Sequence, residues 1–170
     1  MSTPLIRSAT MTTRYGDVAI HAIGWPGEQP YVVLRHPAAA DHTLLRLQAQ
    51  CLTSTAFAAL MCDCGPQIEA GVRLAATRPG GTLVYLPQEG RGYGLFSKVE
   101  ILSQMNGGLS LAAAQQAVGR AESRLSYHRV PQIISALALP EPITLLTEST
   151  AKVRAVEAAG VPFAGVGGLS

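Results

Sequence analysis

A short apolar segment followed at once by a polar, glycine-rich loop limits most strongly the folds open to this chain. The apolar segment runs from Thr82 to Leu86, and the loop runs from Gln88 to Gly94. A strand that is apolar on both faces must be covered on both sides, which is typical of central strands in α/β sheets. Ligands of open α/β sheets bind where such strands end. The pattern therefore predicts an α/β domain with a ligand site near this loop.

Strand and helix patterns alternate along the rest of the chain. Strands are predicted over residues 18–25, 31–35, 43–50, 143–147 and 161–166. Helices are predicted from Pro66 to the Pro79-Gly80-Gly81 break, and over 98–105, 111–120, 130–139 and 150–159. No repeat or linker divides the 170 residues. We therefore predict one α/β domain over residues 1–170, a mixed sheet with flanking helices.

Composition argues against several classes of protein. The longest apolar runs are about seven residues, whereas a membrane-spanning helix needs about 20. Residues 1–10 lack the apolar stretch of a secretory signal. A net charge of +2 without a basic run gives no reason to expect nucleic-acid binding. We therefore expect a cytoplasmic protein that contacts neither membrane nor nucleic acid.

The three cysteines are the strongest chemical signal in the sequence. Ten residues separate Cys51 from Cys62, and Cys64 follows two positions later. An odd number does not suit a disulfide framework, and thiolates are soft ligands that suit zinc. Three protein ligands on a tetrahedral ion leave the fourth position for a water that zinc can activate. The alternative is that the cysteines are buried without a metal and act as small apolar residues.

Polar residues near the cysteines and in the loop are candidates for ligand contacts. Glycines in the loop allow the backbone to approach a ligand, and the forked guanidinium of Arg91 suits a phosphate. Arg46 lies on the predicted strand that ends just before Cys51. Gln67 either contacts the edge of a base or is simply solvated. The loop as a whole has the alternative of being a flexible surface turn, because it lacks a dinucleotide-binding fingerprint.

Lysine is scarce in this chain. Only Lys98 and Lys152 are lysines among the thirteen basic residues. This scarcity reflects either a bias toward arginine or a specific task for each lysine. Glu122 and Arg124, two positions apart, form either a functional pair or a solvated ion pair.

Four segments together resemble the GTP cyclohydrolase II family: residues 46–53, 62–67, 88–95, and Leu145-Leu146-Thr147 with Lys152. The resemblance extends from about Thr13 to Val166. It implies the family's α/β fold as a single domain, a homodimer and a role in riboflavin biosynthesis. It also implies a hydrolase that opens the imidazole ring of GTP at C8, releasing pyrophosphate and giving a (formamido)pyrimidine nucleotide.

The resemblance also implies cofactors and roles for individual residues. Zinc would be held by Cys51, Cys62 and Cys64, with Mg²⁺ at the phosphates. The family's proton acceptor and its nucleophile toward the α-phosphate match Glu122 and Arg124. Its substrate-binding positions match Arg46, Gln50, Gln67, Glu89, Gly90, Arg91, Ser110, Thr147 and Lys152.

Other residues depart from the family pattern. His and Glu of the family's R-V-H-S-E-C are Gln48 and Gln50 here, its Asp is Glu122, and two asparagines are Glu148 and Ser149. Leu102 stands at the position of a family tyrosine. Leucine offers no hydroxyl to position water for a second hydrolysis. We therefore expect a divergent paralogue that acts on GTP or a related purine nucleotide and stops, wholly or partly, before the formyl group is removed. The alternative is that Leu102 packs in the core and another residue, such as Tyr93, supplies the hydroxyl.

Two other functional classes compete with this interpretation. A zinc nucleobase deaminase would need H-x-E and C-x-x-C motifs, and the sequence contains neither. A nucleotide-binding homologue that is non-catalytic, or that takes a different substrate in a specialised pathway, is the second alternative. Retention of all three cysteines argues against a non-catalytic protein, because binding alone needs no open zinc site.

Overall fold

The computed structural model describes residues 3–168, which form seven strands and six helices. The strands are β1 (Leu5–Thr13), β2 (Gly16–Gly24), β3 (Tyr31–Arg35), β4 (Thr43–Ala49), β5 (Gly81–Leu86), β6 (Ile143–Leu146) and β7 (Gly165–Gly167). The helices are α1 (Leu52–Ala56), α2 (Cys64–Thr77), α3 (Gly94–Asn106), α4 (Leu111–Ala117), α5 (Val130–Ala136) and α6 (Thr150–Ala158). The predicted α/β class is confirmed.

All seven strands belong to one mixed sheet, in the order β1-β2-β3-β5-β4-β6-β7. The pairs β1–β2, β2–β3 and β3–β5 are antiparallel. The pairs β4–β5, β4–β6 and β6–β7 are parallel. Because β4, β5 and β6 run in the same direction, the residues that follow these strands meet at one edge of the sheet.

Helices cover both faces of the sheet, as the apolar segment at 82–86 predicts. Successive side chains of a strand point to opposite faces. Leu83 accordingly packs with Ala75 of α2, whereas Val84 packs in a larger cluster that includes Val130 of α5 and Val156 of α6. The central strand is therefore enclosed by two apolar layers, and its backbone ends in a fixed position.

Helix α2 lies unusually close to the sheet at Gly71. A Cβ atom at this position would lie 2.9 Å from Cδ1 of Leu83, closer than Cβ atoms normally approach other atoms. The missing side chain lets the helix backbone rest directly on β5. This contact fixes the axis of the helix that begins at Cys64.

Two elements were not predicted from the sequence. Strand β1 lies at the edge of the sheet and most of its residues are exposed, so its sequence has no alternating apolar pattern. Helix α1 has five residues and no side-chain cap, so it lacks both periodicity and a start signal.

The boundary predicted at Pro66 is wrong by one half-turn, because α2 begins at Cys64. Proline is tolerated anywhere in the first turn of a helix, where backbone N–H groups have no intrahelical partner. The Gly65 N–H donates instead to the Ser54 hydroxyl, at 2.8 Å. Cys64 is therefore part of the helix and not of the loop before it.

The C-terminal part also differs in detail from the prediction. Helices α4 and α5 end three residues before their predicted ends. The last strand covers Gly165–Gly167 and not residues 161–166, although Val161 is buried. Val161 packs in the core without pairing in the sheet, which an apolar pattern does not distinguish from a strand. Across residues 3–168, every helix is too short or too polar to cross a bilayer.

Candidate active site

The three cysteines lie together at the edge where the parallel strands end. Cys51 follows β4 and caps α1, Cys64 opens α2, and Cys62 lies just before it. Their sulfur atoms all lie within 4.8 Å of one another, with 3.6 Å between those of Cys51 and Cys62. Three sulfur ligands at this separation suit a tetrahedral zinc ion. The donor set predicted from the sequence is thus brought together by the fold.

The electrostatics of the cluster favour a cation among the sulfur atoms. Burial, with the neighbouring thiols Cys62 and Cys51, raises the pKa of Cys64 to about 12. Burial also opposes ionisation of Cys51, but hydrogen bonds from Lys98 and other groups outweigh it and lower the pKa of that thiol. Three thiolates this close repel one another unless a metal ion lies between them. The chemistry of the residues therefore fits zinc.

Lys98 and Glu89 both contact the segment that carries Cys51. The Lys98 ammonium donates to the Cys51 sulfur at 2.8 Å and to the Glu89 carboxylate at 3.1 Å. The other carboxylate oxygen of Glu89 accepts from the backbone N–H of Leu52 at 2.6 Å. Glu89 is buried, with only 9% of its surface exposed. Both of its carboxylate oxygens thus accept hydrogen bonds from protein groups.

A cavity of about 340 Å³ opens next to the sulfur atoms, and we call it the cysteine cavity. Among its polar lining residues are the three cysteines, Gln48, Gln50, Glu89, Gly90, Arg91, Lys98 and Lys152. Its other wall is apolar and consists mainly of Ile101, Leu102, Met105, Leu111 and Leu125. Tyr127, with 5% of its surface exposed, also lines the cavity. A lining of this mixed kind suits a ligand that has both apolar and polar surface.

A second depression of about 390 Å³, the arginine groove, adjoins the cysteine cavity at Lys152. Arg46, Gln67, Thr147, Glu148, Ser149 and Lys152 are among its lining residues. The Arg46 guanidinium donates to Gln67, Gln48 and the Leu146 carbonyl, each at 3.1 Å, and its buried Nε has no partner. Gln67 is thus tied to Arg46.

The charges of the arginine groove favour an anionic ligand. Burial and the nearby Arg46 lower the pKa of Lys152 to about 8, and its ammonium donates only to the Leu47 carbonyl, at 3.1 Å, among the described contacts. The buried guanidinium of Arg46 and the half-buried ammonium of Lys152 repel each other, and an anion between them relieves that cost. Phosphate oxygens meet this requirement well.

The glycine-rich loop forms a tight turn and is not a flexible segment in this structure. Gly90 and Arg91 both have φ of 60°, in the left-handed region. The Arg124 N–H donates to the Arg91 carbonyl at 2.9 Å, and a Cβ on Gly92 would lie 2.7 Å from the Arg124 carbonyl oxygen. The loop and the segment around Arg124 are therefore docked on each other.

Tyr93 holds two arginine side chains at the rim of this loop. The guanidinium carbons of Arg120 and Arg124 lie 4.9 and 4.6 Å from the centre of the Tyr93 ring. These cation–π contacts keep both charges near the loop. Arg124 is exposed and does not line the cysteine cavity in this conformation.

Besides Arg124, two more predicted site residues are not brought into the cavity or the groove. Glu122 is exposed and lies outside both the cysteine cavity and the arginine groove. Ser110 is the N-cap of α4, where its hydroxyl accepts from the Ala113 N–H at 3.3 Å. Its neighbour Leu111 lines the cavity instead. The other predicted positions, apart from Arg124, line the cavity or the groove.

Sequence reasoning missed some residues of the site. Tyr127 lies between predicted elements, and no pattern marked it. Lys98 was marked only by the scarcity of lysine, and its contact with Cys51 spans 47 residues. Gln115 and Leu125 line the cavity without any signal in the sequence.

Comparison with known proteins identifies the family to which the chain belongs. The family described as GTP cyclohydrolase II matches residues 5–165. A GTP cyclohydrolase-2 from Neisseria meningitidis serogroup B is 30% identical over 158 residues, which cover 92% of this chain and 80% of that protein. Riboflavin biosynthesis protein RibBA from Staphylococcus aureus strain N315 is 34% identical over 137 residues, or 81% of this chain and 34% of that protein. The family predicted from the motifs is confirmed: the chain belongs to the GTP cyclohydrolase II family.

Proposed function

We propose that this protein is a zinc-dependent hydrolase that opens the imidazole ring of GTP, or of a related purine nucleotide, at C8. Pyrophosphate is released, and the product is a (formamido)pyrimidine nucleotide. The observation that carries this proposal is the group of three cysteine sulfurs within 4.8 Å, beside a cavity lined by both polar and apolar side chains. Family membership and the names of the relatives support a role in riboflavin biosynthesis.

Each part of the nucleotide has matching groups in the site. The cysteine cavity accommodates the base, with Gln48 and Gln50 offering amide groups to its edge. Arg46, Thr147 and Lys152 of the arginine groove, with Arg91 and Gln67 nearby, bind and orient the anionic part. Mg²⁺ accompanies the phosphates. When bound to Cys51, Cys62 and Cys64, zinc would act as the Lewis acid that activates water.

We predict that protein purified without chelators contains about one zinc per chain, as a site with three protein ligands requires. Chelation should abolish ring opening, and added zinc should restore it where added Mg²⁺ alone does not. Cys62→Ser should lower the zinc content and reduce turnover to background, because one sulfur ligand is lost. Metal analysis and ultraviolet spectra of incubated GTP measure both effects. Full turnover in metal-free protein would contradict the proposal.

Pyrophosphate release is assigned to Arg124, with Glu122 as its proton acceptor. The backbone bond from Arg124 to Arg91, which lines the cavity, supports a position close to the phosphates. To reach the α-phosphate, the guanidinium must leave the Tyr93 ring. Ser110 contributes to the site indirectly, because it caps α4 and so positions that helix.

Arg124→Lys should abolish pyrophosphate release at saturating GTP, because an ammonium does not reproduce the reactivity or the forked geometry of guanidinium. Arg154→Lys, at an exposed position of α6, is the matched control and should behave like the wild type. A coupled pyrophosphate assay provides the measurement. Normal release by Arg124→Lys would exclude the nucleophilic role.

The product is expected to retain its formyl group. Leu102 lines the cysteine cavity, where it offers no hydroxyl to position a water for the second hydrolysis. Tyr127 is the tyrosine that lines the same cavity, and burial raises the pKa of its phenol. Tyr93 contacts arginines outside the cavity and does not replace the missing hydroxyl.

Mass spectrometry of the product, with a parallel formate assay, tests this expectation. The wild type should give the formamidopyrimidine nucleotide with little formate, and Leu102→Tyr should release formate. Leu102→Phe has a similar ring without a hydroxyl and should not. If the wild type releases formate in an amount equal to that of the product, the hypothesis is wrong. If that formate release is then lost in Tyr127→Phe, the second hydrolysis is assigned to Tyr127.

We also propose that the protein forms a homodimer. Large apolar side chains are exposed beside the cavity, on α3 and in the segment between α1 and α2. Phe96 is 95% exposed, Leu60 98% and Phe57 72%. A second copy of the chain would cover these side chains. Sedimentation velocity should give the mass of two chains for the wild type and a smaller mass for Phe96→Glu, and a monomeric wild type would contradict the proposal.

A further inference from the structure

Glu89 and Lys98 form a closed set of contacts with the segment that carries Cys51. Lys98 donates to the Cys51 sulfur and to one Glu89 oxygen. The second Glu89 oxygen accepts from the N–H of Leu52, the residue after Cys51. The sulfur and the backbone of the Cys51 region are thus held at the same time by one ion pair.

Both side chains of this pair are shielded from solvent. The exposed fractions are 17% for the Lys98 side chain and 9% for that of Glu89. Gly90, with its positive φ, lies directly under Lys98, and even a Cβ atom there would be in ordinary contact at 3.5 Å from the Lys98 Cβ. Because the pair is enclosed, its geometry is set by β5, α3 and the tight turn between them, and not by mobile surface side chains.

The contacts of the pair leave little capacity for a substrate. One Glu89 oxygen accepts from Lys98 and from the Gly90 N–H at 2.9 Å, and the other accepts from Leu52. The Lys98 ammonium has a sulfur and a carboxylate as its acceptors. Arg46, Arg91 and Lys152 by contrast carry charges without a carboxylate partner among the described ion pairs. These latter groups are the better candidates for phosphate.

We propose that Glu89 and Lys98 are positioning residues for the metal ligand Cys51. The ion pair holds the Cys51 sulfur and the start of α1 in place, so that Cys62 and Cys64 complete the site from the start of α2. Groups that orient metal ligands contribute strongly to metal affinity. This inference rests on the proposed function, because it takes the three cysteines as zinc ligands.

Zinc affinity, measured by competition with a chromophoric chelator, tests the proposal without any need for turnover. Lys98→Met should weaken zinc binding by about 10- to 100-fold, a typical effect of losing a group that orients a metal ligand. Simple repulsion between the lysine charge and Zn²⁺ predicts the opposite, because removing a cation would then tighten binding. Lys98→Arg keeps N–H donors for both sulfur and carboxylate and should recover most of the affinity.

Glu89→Gln should also weaken zinc binding, since an amide has only one acceptor oxygen for its three donors. The loss in the double variant Glu89→Gln, Lys98→Met should be smaller than the product of the two single losses, because the residues act through one contact. Two controls at exposed positions, Arg154→Met on α6 and Glu100→Gln on α3, should bind zinc like the wild type.

Denaturant unfolding of the metal-free variants separates positioning from general damage to the fold. The proposal expects zinc affinity to fall by more than any loss of apoprotein stability explains. It is overturned if Lys98→Met binds zinc as the wild type does while its nucleotide affinity falls, which would make Lys98 a phosphate ligand. Equal loss in Arg154→Met would also overturn it. A wild type that binds no zinc would instead refute the proposed function itself.

Discussion

Parallel pairing of β4 with β5 and β6 is the constraint on which the rest of the structure depends. Three strands that run in one direction must end at one edge of the sheet, and a residue of the candidate site follows each of them closely. Cys51 follows β4, Glu89 follows β5 and Thr147 follows β6. Each strand is enclosed by apolar residues, so its end is fixed to within the tolerance of a packed core. The positions of the polar side chains in the site are therefore set mainly by the packed core beneath them.

The same constraint explains why the site tolerates so many buried polar groups. Arg46, Gln48 and Thr147 are each about 5% exposed, yet Arg46 and Gln48 bond to each other and Arg46 also bonds to the carbonyl of Leu146. Burial of unpaired polar groups is costly. The orphaned Nε of Arg46 is an exception that a bound anion or water would satisfy.

Much of the fold and the site was predictable, for physical reasons that differ between elements. Strand β5 was predicted because both of its faces are buried, which requires an apolar run in the sequence. Strand β1 was missed because most of its residues are exposed at the edge of the sheet, where no apolar pattern is required. The cysteines and the glycine-rich loop were found because chemistry demands particular residue types there. Tyr127 and the Lys98–Cys51 contact arise only from the packing of distant segments, which leaves no local signature.

Lys152 is the one residue that lines both the cysteine cavity and the arginine groove, among those the structure describes. A ligand that fills both depressions must pass the Lys152 ammonium. The position of this ammonium therefore divides the ligand into one part in the cavity and one part in the groove. Lengthening or shortening the anionic end changes the fit in the groove and leaves the other end undisturbed. Discrimination by ligand length and recognition of the ring can therefore diverge separately in relatives of this protein, provided that the lysine between them stays.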